Sequence, residues 1–101
     1  MEKTLGIYVT SDHEMENLLR LCKAARGKGV KVAVFLTHIA TRLSQDPRFG
    51  ELTELAKVAL CKVGFEANGF AAPPEGLPNA ELASQSWHAE MIYDCDRYLT
   101  F

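Results

Sequence analysis

Among the three cysteines and three histidines of this chain, Cys61 and His38 stand where a folded strand presents side chains to a ligand. Cys61 closes the apolar run Lys57-Val58-Ala59-Leu60-Cys61 and precedes a stretch that reads as a helix from Lys62, which puts its thiol at a strand-to-helix turn. Unpaired backbone N–H groups and the dipole at a helix N-terminus stabilise an anion, so a thiol there is expected to lose its proton more readily. The Lys62 ammonium pushes the same way. The competing expectation is a small buried hydrophobe at the end of a core strand, because free cysteine is among the most buried residue types. Cys22, on the apolar face of a helix, and Cys95, at the expected buried end of a later one, read as core residues. His13 and His88 rank below His38, each falling in a predicted helix.

The elements that must position these groups follow from hydrophobic periodicity. Leu5 to Thr10 and Val30 to Thr37 (VKVAVFLT) are short β-branched, apolar runs of the kind found in buried parallel strands. Between them Met15, Leu18, Leu19, Cys22 and Ala25 or Arg26 recur at helical spacing, with Glu14, Glu16, Arg20 and Lys23 on the other face. Ser11 and Glu14 fit a capping box at the start of this helix, and Gly27-Lys28-Gly29 supplies its exit. A right-handed strand, helix, strand unit over 5 to 37 is implied. His38 to Pro47 reads as a loop or irregular helix that Asp46-Pro47 ends, before a second helix over Phe49 to Leu55 that feeds the strand ending at Cys61.

Lys62 to Asn68 reads as a short helix with Val63 and Phe65 for packing and Gly69 as its stop. Ala71 to Pro78 reads as a surface connection, in part polyproline-like, and 79 to 84 as a weak strand. A helix from Ser84 or Gln85 to Asp94 carries Trp87, Met91 and Ile92, and Arg97 to Phe101 forms a last strand. Alternating strands and helices imply an α/β three-layer sandwich with a mostly parallel five-stranded sheet, in one domain over 1–101.

In such folds ligands bind beyond the carboxyl ends of the strands. Those ends carry Ser11 and Asp12 after the first strand, Thr37 and His38 after the second, and Cys61 and Lys62 after the third. If the second and third strands are neighbours, their ends lie roughly 5 Å apart, within reach of a thiol and an imidazole directly or through water. Cys61, His38 and Lys62 are thus the candidate catalytic residues, and Ser11, Asp12 and Thr37 the candidate binding residues. Ser11 and Asp12 are also read as helix caps. Other site chemistries fail on spacing. A C-x5-R loop needs arginine where Ala67 stands, a receiver domain needs aspartate where Cys61 stands, and Thr10-Ser11-Asp12-His13 replaces a G-x-G-x-x-G turn.

At 101 residues, 48% hydrophobic and 24% charged, the chain has the composition of an ordinary globular protein able to bury roughly two-thirds of its unfolded surface. A net charge of −2 argues against a basic nucleic-acid surface, and direct nucleic-acid binding is not expected. No apolar run approaches the ~18 residues of a membrane span, and the first residues lack signal-peptide character, so a cytoplasmic protein is expected. Three widely spaced cysteines without a C-x-x-C pair suggest reduced thiols and no metal site.

Three passages, VAVFLT with its following loop, VALCKVGFEANGF and the terminal CDRYLTF, resemble the DsrE/DsrF-like sulfur-relay family over nearly the whole chain. The family includes sulfurtransferase subunits that pass persulfide sulfur toward tRNA thiolation and relatives in dissimilatory sulfur metabolism. Cys61 matches the cysteine that carries sulfur in its active members. Where the family commonly has an Arg-Gly pair, this chain has Asn68-Gly69. The resemblance implies a small sulfur carrier, with sulfur-donor and sulfur-acceptor proteins as partners and a trimeric or hexameric homo-oligomer. Thiol exchange needs no cofactor. The alternatives are a non-catalytic oligomeric binding or regulatory subunit of the same fold, and an unrelated flavodoxin-like ligand-binding domain.

Overall fold

A computed structural model describes residues 3–70 and 80–101. In chain order it contains β1 (Thr4–Val9), α1 (Met15–Gly27), β2 (Lys31–Leu36), a 3-10 helix (His38–Gln45), α2 (Phe49–Leu55), β3 (Lys57–Cys61), α3 (Lys62–Ala67), β4 (Ala80–Ala83), α4 (Gln85–Asp94) and β5 (Arg97–Thr100). All pairings among these strands are parallel, in the order β4-β3-β2-β1-β5. The expected neighbours β2 and β3 are paired, with Leu36 opposite Leu60.

Strand order explains the three layers. The chain adds β2, β3 and β4 successively on one side of β1, then returns across the sheet to place β5 on the other side. A right-handed crossover that reverses direction must lie on the opposite face. The two buried clusters reflect this. Ile7, Val9, Val34, Leu36, Val58 and Leu60 meet the apolar stripes of α1 and α2 and Phe65 of α3, whereas Phe35, Ala59 and Cys61 meet Met91 of α4. Strand alternation assigns the residues: Val58 and Leu60 point to one face, Ala59 and Cys61 to the other.

Helix α1 buries Met15, Leu18, Leu19 and Cys22 as its periodicity predicts, and burial pushes the Cys22 thiol up to about 11. Its start differs from expectation. The helix begins at Met15, so Glu14 is itself the N-cap and the Ser11–Glu14 capping box is not made. Ser11 Oγ instead lies 2.8 Å from His13 Nδ1, and His13 precedes the helix that was expected to contain it. At the other end Gly29 takes φ +75°, the left-handed conformation that a glycine accepts at little cost.

Three packing expectations also change. Val63 is 77% exposed because a helix of six residues buries one narrow face, here Gly64 and Phe65. Ile92 lies on the outer side of α4 and is exposed, while Met91 is buried. Cys95 is half-buried rather than buried, with its thiol 3.5 Å from the Ile92 carbonyl oxygen. The connection predicted for Ala71 to Pro78, and Asn79 of the weak strand, lie outside the described residues. Among those described, no helix is long and apolar enough to cross a membrane.

His88 ties α4 to the sheet by stacking on Tyr8, with ring centroids 4.1 Å apart and planes 12° apart, and on Phe35 at 5.3 Å. The Tyr98 hydroxyl lies 2.9 Å from Nε2, and Gln85 Oε1 lies 3.2 Å from Nδ1. Desolvation in this stack lowers the imidazole pKa below its ordinary value. The unfolded chain therefore takes up this proton first as pH falls. The resulting stability is present above about pH 6.5 and is lost as pH drops through the lower folded value. His88→Phe, which retains a ring, is expected to flatten this part of the acid slope. Urea midpoints of both proteins above and below about pH 6.5 check it.

Candidate functional site

The loop leaving β3 runs to α3 on one face of the sheet, and the loop leaving β4 runs to α4 on the other. Adjacent strands whose exits diverge leave a crevice between them at their carboxyl ends. Here Cys61 pairs in register with Ala83 at that divergence. A cavity of about 840 Å³ opens there, lined by Thr37 after β2 and the first residues of the 3-10 helix (His38, Ile39), by Cys61 and α3, and by Leu82 to Gln85 at the β4–α4 turn.

Cys61 is both the last residue of β3 and the N-cap of α3, with extended backbone (φ −60°, ψ 117°). Its side chain makes no capping hydrogen bond to α3 and lines the cavity instead. It is 9% exposed, recessed against Phe35, Ala59 and Met91. All three thiols are free. Lys62 is exposed on the cavity lining, and among the described residues it makes no ion pair and no lining residue is acidic.

His38 enters the same cavity from the first residue of the 3-10 helix, with φ +51°. A non-glycine residue in the left-handed region costs on the order of 1–3 kcal/mol and persists where its surroundings hold it. Asn68 supplies that hold. Its side-chain amide donates to the carbonyl oxygens of His38 (2.9 Å) and Gly64 (3.0 Å) and to Thr41 Oγ1 (2.7 Å). Thr41 Oγ1 in turn donates to the His38 carbonyl at 2.9 Å. The residue standing where the resemblance has an arginine thus joins the backbone of His38 to the helix that follows Cys61.

Gly64 lets the two backbones meet. A Cβ placed there would lie 2.9 Å from the His38 nitrogen, a contact with main chain rather than with a movable side-chain tip. Gly64→Ala gains about 0.5–1 kcal/mol of helix preference but forces the two segments apart, at about 1–3 kcal/mol. The expected result is net destabilisation, read as a lower denaturant midpoint, with the His38 loop displaced from Cys61.

Of the six residues proposed from sequence, Cys61, His38, Lys62 and Thr37 line one cavity. Thr37 is fully buried, and its hydroxyl lies 3.5 Å from Gln85 Nε2. Ser11 and Asp12 are not among the lining residues. They stand at the end of β1, two strands from β3, where Ser11 meets His13 and Asp12 lies 3.7 Å from both His13 and Arg42. Sequence reasoning missed Asn68, Ser84 and Gln85. The Asn-Gly pair after a short apolar helix was a readable C-terminal signal for Asn68. No such signal placed Ser84 and Gln85, because their proximity depends on β4 lying beside β3. No three His, Cys, Asp or Glu side chains among the described residues gather in a metal-binding group.

The fold and cavity define an α/β three-layer sandwich with a free thiol at the switch point of a parallel sheet. No protein-family model matches the sequence, and no curated protein sequence does. Among solved structures the chain is similar to the YchN protein of E. coli, with a TM-score of 0.76, 23% identity and coverage of 100% of both chains. The likeness at this identity is one of fold, and YchN has a DsrE-like fold.

Proposed function

We propose that the protein is a small sulfur carrier in which Cys61 holds persulfide sulfur. The observation that carries this reading is the placement of a free thiol on the wall of a cavity that His38 and Lys62 also line, Lys62 having no ion pair among the described residues. The Cys61 thiolate attacks the outer sulfur of a donor R–S–SH. The donor S–S bond breaks, a new S–S bond forms, and R–S⁻ leaves as Cys61–S–SH is made. The donor is reduced to a thiol and Cys61 is oxidised to a persulfide. An acceptor thiolate then repeats the step on Cys61–S–SH. Lys62 stabilises the anions, and His38 takes and returns the proton. Sulfur-donor and sulfur-acceptor proteins, a cytoplasmic setting and the absence of a cofactor belong to the same proposal. It rests on the sequence resemblance and on the DsrE-like fold of YchN. The test is a two-step transfer. Protein loaded from a persulfide donor and freed of excess donor should pass one sulfur atom to an added acceptor thiol, and loaded sulfur that no thiol can remove argues against a carrier.

A second reading, an oligomeric binding or regulatory subunit with Cys61 inert, draws on the surface. Ile92, Tyr93, Tyr98 and Leu99 are exposed on α4 and on β5, an edge strand whose four residues are all exposed. Edge strands with apolar side chains gain from being covered. Assembly is proposed under either reading, as a trimer or hexamer. Light scattering at micromolar concentration should give a multiple of the 11.2 kDa chain, and a monomer mass rejects assembly.

A further inference from the structure

We infer that the cavity before Cys61 takes a low-molecular-weight organic sulfur compound with an apolar body and an anionic group, so that the donor or acceptor at this site is a small molecule. The inference rests on Cys61 acting as proposed above, and it adds the class of compound that reaches it. Three observations carry it.

The first is access. Attack on sulfur requires the two reacting atoms to approach to about 3–3.5 Å. Cys61, a residue only 9% exposed in a cavity walled by α3 and the β4–α4 turn, is out of reach of a cysteine on a convex protein surface, and a partner protein reaches it only with a cysteine on an extended arm. A slender ligand can enter. The second is size: about 840 Å³ lies in the ~300–1,000 Å³ range of small-molecule pockets. The third is chemical character. Ile39, Val63, Ala67, Leu82 and Ala83 supply apolar walls, and among the described residues no lining side chain carries a carboxylate and the exposed Lys62 has no ion-pair partner. An apolar body with one negative group matches those walls and that charge. A cationic compound matches neither.

Disulfide probes read this without sulfane sulfur. The Cys61 thiolate attacks one sulfur of R–S–S–R, Cys61–S–S–R forms, and R–S⁻ is released and measured. Reduced full-length protein is mixed with 5,5′-dithiobis(2-nitrobenzoate), which is anionic and aromatic, with neutral 4,4′-dithiodipyridine, or with cationic cystamine. Peptide mass mapping restricts the rate to Cys61, and each rate is divided by that of N-acetylcysteine. The expected result is a rate that saturates with the anionic aromatic reagent, and a normalised preference for it over cystamine of about tenfold, the combined scale of attracting one reagent and repelling the other at an exposed ammonium. Lys62→Glu should reverse the charge preference. Val63→Asn, at a residue so exposed that folding does not depend on it, should raise the concentration needed for saturation.

Rates linear in concentration with the selectivity of N-acetylcysteine overturn the inference. So does loading that is faster from a persulfidated folded protein than from any small persulfide, which would assign the cavity to a partner's extended arm. The two readings fail separately. Saturating probe kinetics with no gain of sulfur from any donor refutes the carrier and keeps the cavity assignment, and sulfur loading without saturation does the reverse.

Discussion

Cys61→Ser is expected to abolish the gain of one sulfur atom that the wild-type protein shows after exposure to a persulfide donor. An alcohol is not ionised near neutral pH, and serine cannot hold sulfane sulfur as a persulfide, so the loss is complete rather than partial. Serine occupies nearly the volume of cysteine at a site that already adjoins a cavity, so the fold should persist and circular dichroism should be unchanged. His38→Ala provides the contrast. It leaves the nucleophile in place and removes proton management, which typically contributes roughly 10²–10⁴-fold, so loading should slow without disappearing. Time courses of intact mass for the three proteins check both statements. Residual loading in Cys61→Ser at the wild-type rate would place the chemistry on another thiol.

Phe35→Ala should lower the stability of the folded protein by about 3–5 kcal/mol, the usual cost of emptying an aromatic site in a core. Phe35 is fully buried in the central strand β2 and lies beneath α4, stacked against His88 at 5.3 Å and Trp87 at 5.8 Å. Among the described residues, the apolar cluster between the sheet and α4 has as its buried members Phe35, Ala59 and Cys61 of the sheet and Met91 of α4, so one truncation removes much of what seats that helix. Because Cys61 belongs to this cluster, α4 should loosen and the thiol should gain exposure. The measurement is a pair of denaturant curves together with the alkylation rate at Cys61. The expected outcome is a much lower midpoint and faster alkylation, and an unchanged midpoint would mean that α4 is held by other contacts.

The architecture was legible because buried parallel strands announce themselves as short apolar runs. KVAVFL and KVALC could scarcely be read otherwise, and the stripe of α1 named its buried residues in advance. The grouping of Thr37, His38, Cys61 and Lys62 followed from one further step, that parallel strands end at the same edge. What stayed hidden were facts of strand order and helix phase. Ser11 and Asp12 share the edge but lie beyond β2, and only the order of the sheet separates them from the thiol. Ser84 and Gln85 are distant in sequence from Cys61 and arrive beside it because a four-residue strand pairs with β3. Val63 was misjudged because a helix of one and a half turns has too few residues to reveal which face is buried. Asn68 stood out in the sequence only as a departure from the Arg-Gly pair of the resemblance, whereas its amide joins three acceptors that only the folded chain brings together.

The central claim is that Cys61 carries sulfur, and the most direct measurement is peptide mass mapping of the reduced wild-type protein after incubation with a persulfide donor. The predicted result is one added sulfur atom on the peptide containing Cys61, removed by an added thiol, with Cys22 unmodified behind the packing of α1. The contradicting result is a Cys61 peptide that gains no sulfur from any donor while iodoacetamide still alkylates the same thiol in the folded protein.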